Sequence, residues 1–82
     1  MASRYHGLAR HLAAQSGPTH TMTFAEVAAT TYGRTLPPTA YTMRGFWSNA
    51  ATPSHARHGW LAAGWRVASV DLALQTVTLR MG

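Results

Sequence analysis

Apolar positions recur first at helical spacing and, near the end of the chain, at strand spacing. From Ser3 to about Gln15, Tyr5, Leu8, Ala9 and Leu12 share one face, with Arg4, His6, Arg10 and His11 around the others. That pattern predicts a half-buried helix. Ser16-Gly17-Pro18 stops it, and His20 to Thr23 reads as a short extended segment. Thr23-Phe24-Ala25-Glu26 fits a capping box, in which the Thr hydroxyl takes an early N–H and the Glu reaches back to the Thr N–H. The helix it starts turns Phe24, Val27, Ala28 and Thr31 inward and ends near Gly33.

All three tryptophans fall in the stretch from Leu36 to Trp65. A third helix is expected from Pro38, where a missing N–H costs nothing, to Ser48. Ala40, Met43, Phe46 and Trp47 would form its inward face and Tyr41, Arg44, Gly45 and Ser48 its outward one. Ser48-Asn49 turns the chain. Thr52-Pro53 then reads as an N-cap and first-turn proline of a fourth helix to about Ala63. That helix would bury Ala56, Gly59, Trp60 and Ala63, expose Arg57 and His58, and end at a left-handed Gly64. The spacing makes the tryptophans core residues rather than base-stacking platforms.

Beyond Trp65 the period changes to two. Val77, Leu79 and Met81 alternate with Thr76, Thr78 and Arg80, and Trp65 to Val70 supplies a partner strand. Residues 71–75 lack an Asn-Gly pair, so the connection should be longer than a tight turn. The order predicts one α+β domain over residues 1–82, resembling a winged helix–turn–helix, with about four helices and a C-terminal β-hairpin as the wing. The second and third helices would be the helix–turn–helix.

A further resemblance rests on Phe24, Glu26, Gly33, Leu36, Pro37, Ala40, Arg44, Phe46, Trp47, Asn49, Trp60, Gly64 and Trp65. Their arrangement, Leu-Pro-x-x-Ala, then aromatic-Trp-x-Asn, then Trp before Ala-Gly-Trp and a hairpin, resembles a small, largely uncharacterised bacterial and phage domain family. Members commonly carry a Trp pair where this chain has Phe46-Trp47. The resemblance implies a fold more firmly than an activity, with nucleic-acid binding the usual suspicion.

Composition narrows the function. There are 82 residues and no cysteine, which excludes disulfides, thiol catalysis and thiolate metal sites. No apolar run approaches membrane-span length and no signal peptide is evident, so a cytoplasmic location with no membrane partner is expected. The formal net charge is +5, and the only acids are Glu26 and Asp71. All seven basic residues are arginine, a choice that a GC-rich genome explains as readily as function. The scarcity of acids has no such explanation, and a positive surface favours polyanionic partners.

Catalytic constellations are lacking. Glu26 is committed to a capping box and Asp71 to a hairpin turn, so paired-carboxylate chemistry is not expected. Ser54, His58 and Asp71 have no triad-like spacing, and no Gly-rich phosphate loop occurs. His55 and His58 could face one metal, but further ligands are scarce, and the pair reads as a solvated, sometimes protonated face. Neither an enzyme, a metal nor a cofactor is therefore expected.

The outward stripe of the third helix is the best candidate site. Arg44 could fork onto guanine or phosphate, or be an ordinary solvated or Trp-packed residue. Tyr41 and Ser48 could bond phosphate or base edges; Asn49 could too, although a C-cap suits it better. Arg66 and Arg80 could act as wing residues on the flanking backbone, or be plain surface charge, and Arg34 and Arg57 add to the basic surface. The expectation is a small basic nucleic-acid-binding module, for duplex DNA, using helix 38–48 and the hairpin. The alternative is a phage or mobile-element protein-interaction module that meets an acidic host protein.

Overall fold

A computed structural model describes residues 3–50, 53 and 55–82. The order is α1 (His6–Ala13), β1 (Thr19–Thr23), α2 (Phe24–Thr30), α3 (Thr39–Thr42), a 3-10 turn (Arg44–Trp47), α4 (Ala56–Trp60), β2 (Trp65–Asp71) and β3 (Thr76–Met81). The class is α+β, with four helices and a three-stranded antiparallel sheet in which β3 lies between β1 and β2.

The first third of the chain follows its hydrophobic period. Tyr5, Leu8, Ala9 and Leu12 are buried, although α1 begins only at His6. At the start of α2 both bonds of the capping box are present: Glu26 N–H donates to Thr23 Oγ1 at 3.0 Å and Thr23 N–H to Glu26 Oε1 at 2.8 Å. These bonds hold the Glu26 carboxyl below its ordinary pKa. The helix stops at Thr30, earlier than the expected Gly33, because Thr31 is already extended and its hydroxyl bonds Ala28 O. Gly7 lets α1 and α2 touch: a Cβ there would lie 2.0 Å from Thr30 O.

The expected helix over 38–48 is not continuous. It consists of one α-turn, a break and one 3-10 turn, with Met43 extended at φ −122°, ψ 113°. The segment contains Thr39, Thr42 and Gly45, all poor helix formers, and Thr42 bonds back to Pro38 O at 3.3 Å. What the break gains is tertiary. Phe46 and Trp47 both enter the core, and the Trp47 indole N–H donates to Ala40 O at 2.9 Å. Met43, expected inward, is instead 57% exposed, and Tyr41, expected outward, is half-buried edge-on to Phe24.

The fourth helix is also shorter than expected. It forms a widened turn in which Leu61 N–H reaches Ala56 O, five residues back, with non-helical backbone at Gly59. Ala56, Gly59 and Trp60 are buried as expected, and Gly64 is left-handed at φ +81°. The expected cap at Thr52 lies outside the described residues. His55 is not on a solvated face. Its ring stacks on Phe46 at a centroid distance of 3.8 Å, lies edge-on to Tyr5 and meets the Phe46 carbonyl through Nε2.

One buried cluster draws on every element. Its centre is aromatic: Trp47 stacks on Phe24 at 4.8 Å and on Trp60 at 5.7 Å between ring centroids, and Phe46 meets Trp47 edge-on. Trp65, Val77, Leu79 and Met22 close it from the sheet side.

Emptying the Trp47 site removes the hub of the stack, so Trp47→Ala should cost about 3–5 kcal/mol, measured by denaturant unfolding. For a chain this small that approaches the whole of its stability. Burial lowers the His55 pKa more than the Phe46 carbonyl raises it. The folded state therefore prefers neutral His55. Stability is full above the ordinary imidazole pKa of about 6.5 and is lost as pH falls through the depressed value. Thermal midpoints measured against pH should fall below about pH 6.5, and His55→Phe should flatten that slope.

Candidate nucleic-acid interface

The expected site residues do not form one stripe. Arg44 leaves the 3-10 turn and donates from Nη1 to Val70 O of β2 at 2.8 Å. Asn49 makes two bonds to one residue of the same strand: its Nδ2 donates to Val67 O at 3.0 Å, and its Oδ1 accepts from Val67 N–H at 2.8 Å. The two side chains thus satisfy backbone groups on the side of β2 away from β3, so Asn49 acts neither as a C-cap nor as a free amide. Ser48 is exposed in extended backbone. Arg34 is exposed at left-handed φ 58°, and Arg57 is exposed with its Nε–H directed at His58 Nε2, 3.3 Å away.

Arg66 and Arg80 are brought together. They are direct cross-strand partners on β2 and β3, and Arg80 also faces Thr19 of β1. Three rows cross the solvent face of the sheet: Thr19–Arg80–Arg66, Thr21–Thr78–Ser69 and Thr23–Thr76–Asp71. Opposite them, Met22, Trp65, Val77 and Leu79 enter the core. The middle row is joined by a Thr21–Thr78 hydroxyl bond at 3.0 Å. A bulge makes this arrangement possible. Between Val67 and Ser69 the register slips by one residue, so Ala68 is extra and both Arg66 and Ser69 stay on the solvent face.

Charge is segregated along this face. Asp71 ends the third row, and Glu26 is bonded to Thr23 in the same row. The arginine row lies four residues away along β3, about 13 Å at strand rise. That exceeds the screening length of about 8 Å at physiological salt, so neither acid neutralises the arginines. Two like charges directly opposite each other destabilise a sheet unless something of opposite sign lies between them. Guanidinium pairs flanked by hydroxyls suit phosphate, which takes forked N–H donors and O–H donors together.

Sequence reasoning missed the hydroxyl rows, although the alternation Thr19, Thr21, Thr23 against Thr76, Thr78 was there to be paired. It also missed the contact of His11 with His20, whose Nε2 atoms lie 3.3 Å apart across α1 and β1. A shallow cleft lined by Arg4, His6, Gly7, Thr30 and Tyr32 opens between α1 and the end of α2, but the Arg4 guanidinium is bonded to Thr35 there. Among the described residues, no three His, Cys, Asp or Glu side chains cluster as metal ligands, and no helix is long and apolar enough to cross a membrane.

Fold and surface together define a small, basic α+β domain built around an aromatic core. The chain belongs to the family described as Domain of unknown function (DUF7662), whose model matches residues 5–82. No curated protein and no solved structure matches it.

The two β2-edge contacts should separate in their effect on stability. Asn49→Ala leaves the Val67 N–H and C=O without their partner and should cost about 1–3 kcal/mol in chemical denaturation. Arg44→Ala removes one exposed bond and should cost less than about 1 kcal/mol. Equal small effects would show that the amide does not hold the strand edge.

Proposed function

We propose that this domain binds nucleic acid, as duplex DNA, through the phosphate backbone, with the Arg66–Arg80 end of its sheet as the contact surface. The observation that carries the reading is the Thr19–Arg80–Arg66 row: two arginines at directly opposed strand positions, a threonine in line with them and no acidic side chain in that row or the next. Phosphate contacts of this kind position a protein on a duplex without reading its sequence. The formal net charge of +5 adds a long-range attraction to any polyanion.

A winged helix–turn–helix architecture is compatible with this reading. The order helix, strand, helix, further helices, hairpin and the β1-β3-β2 sheet both support it. The departure is at the recognition helix, because the backbone breaks at Met43 and Arg44 and Asn49 are bonded to β2. The weight of binding therefore moves from helix 38–48 to the hairpin, and onto its face rather than its tip, where Asp71 sits.

The test is fluorescence anisotropy on a random duplex across a salt series. Wild type should bind at low salt and weaken as salt rises. Arg66→Gln and Arg80→Gln should each weaken binding to all sequences and lower the salt slope by about one. Each should leave stability unchanged or slightly higher, since a like-charge pair is relieved. Arg44→Ala should bind as wild type. Absence of wild-type binding at low salt would overturn the nucleic-acid reading and leave an acidic protein surface as the partner of this face.

A further inference from the structure

We propose that His11 and His20 form a two-imidazole site for a divalent transition-metal ion of the zinc or nickel type, which would tie α1 to β1. The two Nε2 atoms are 3.3 Å apart and the ring centroids 5.4 Å apart. Two nitrogens each about 2.0–2.1 Å from a tetrahedral ion are separated by about 3.3 Å. The rings thus already stand at the spacing a shared ion imposes, and binding would require little rearrangement.

The chemistry of the pair suits two-point ligation through the facing Nε2 atoms. Two facing Nε2 atoms can share only one hydrogen between them, so one ring donates and the other presents a lone pair. A metal ion takes an Nε2 lone pair from each ring, and the ring that carried the shared hydrogen keeps it on Nδ1 instead. Imidazole is a preferred ligand of zinc, nickel and copper. Both rings are half-exposed, so water can fill the remaining coordination positions.

The pair is also held in place. Gln15, one helical turn beyond His11, donates from Nε2 to His11 O at 3.0 Å, and its amide nitrogen lies 3.5 Å from His11 Nε2. His20 is held in β1, opposite Leu79 of β3. Two of the other histidines are engaged elsewhere: His55 is stacked on Phe46 in the core, and His58 faces Arg57.

The probes are zinc sulfate and nickel sulfate, added to the metal-free protein at neutral pH and followed by calorimetry and by thermal midpoint. One ion per chain should bind in the micromolar range and raise the midpoint, because the ion bridges two elements that separate on unfolding. His11→Ala and His20→Ala should each weaken binding at least tenfold, whereas His58→Ala should not. Nitrogen-detected spectra of the unmutated protein give a readout that does not depend on a variant folding. Zinc should shift the Nε2 signals of His11 and His20 before those of the other histidines. No saturable binding, retention of affinity in either variant, or zinc shifts centred on His6, His55 or His58 would each overturn the proposal.

Discussion

Trp47 is the residue on which the arrangement depends. Its indole lies between Phe24 of α2 and Trp60 of α4, and its N–H returns to Ala40 at the start of the same segment. That last bond is the constraint. A ring that must stack on both neighbours and also reach a carbonyl seven residues back cannot sit on a straight helix. The backbone therefore breaks at Met43 and re-forms as a 3-10 turn. The break turns Phe46 inward beside Trp47 and gives His55 a flat partner, so a single packing requirement sets the course of residues 39–60. Aromatic burial on this scale suits an 82-residue chain that has no cysteine to form a disulfide.

The same break delivers Arg44 and Asn49 to β2. An edge strand presents unpaired N–H and C=O groups, and here Val67 and Val70 are covered by polar side chains from residues 44–49. Arg44 and Asn49, whose side chains looked free in the sequence, are bonded to a sheet edge. The bulge at Ala68 lies between those two covered positions, and it brings Ser69 to the solvent face in line with Thr78. Edge protection and the composition of the exposed face are therefore linked through one irregularity.

Much of the fold was legible because it is local. The burial of α1 and α2 followed from their apolar spacing, the capping box from Thr23 and Glu26, and the last strand from the alternation that buries Val77 and Leu79, although Met81 at its end, expected inward, is exposed. The failures have non-local causes. Residues 38–48 carry a plausible helical period, and only the demands of Trp47 and β2 break it. The site was less legible than the fold. Arg66 and Arg80 were identified one at a time, but their pairing depends on register, and the register of β2 depends on a bulge that no turn residue announces. The His11–His20 contact likewise joins α1 to β1, and neither segment announces it.

Residues 39–49 serve the core and the sheet edge, and the open face of the sheet is the proposed contact surface for nucleic acid. Backbone and arginine side-chain NMR shifts, recorded as a short random duplex is added at low salt, test this assignment most directly. The largest changes are expected on Arg66, Arg80, Thr19 and Thr78, with Arg44 and Asn49 retaining their free-state signals. Changes concentrated on residues 39–49, with the arginine row unmoved, would contradict it.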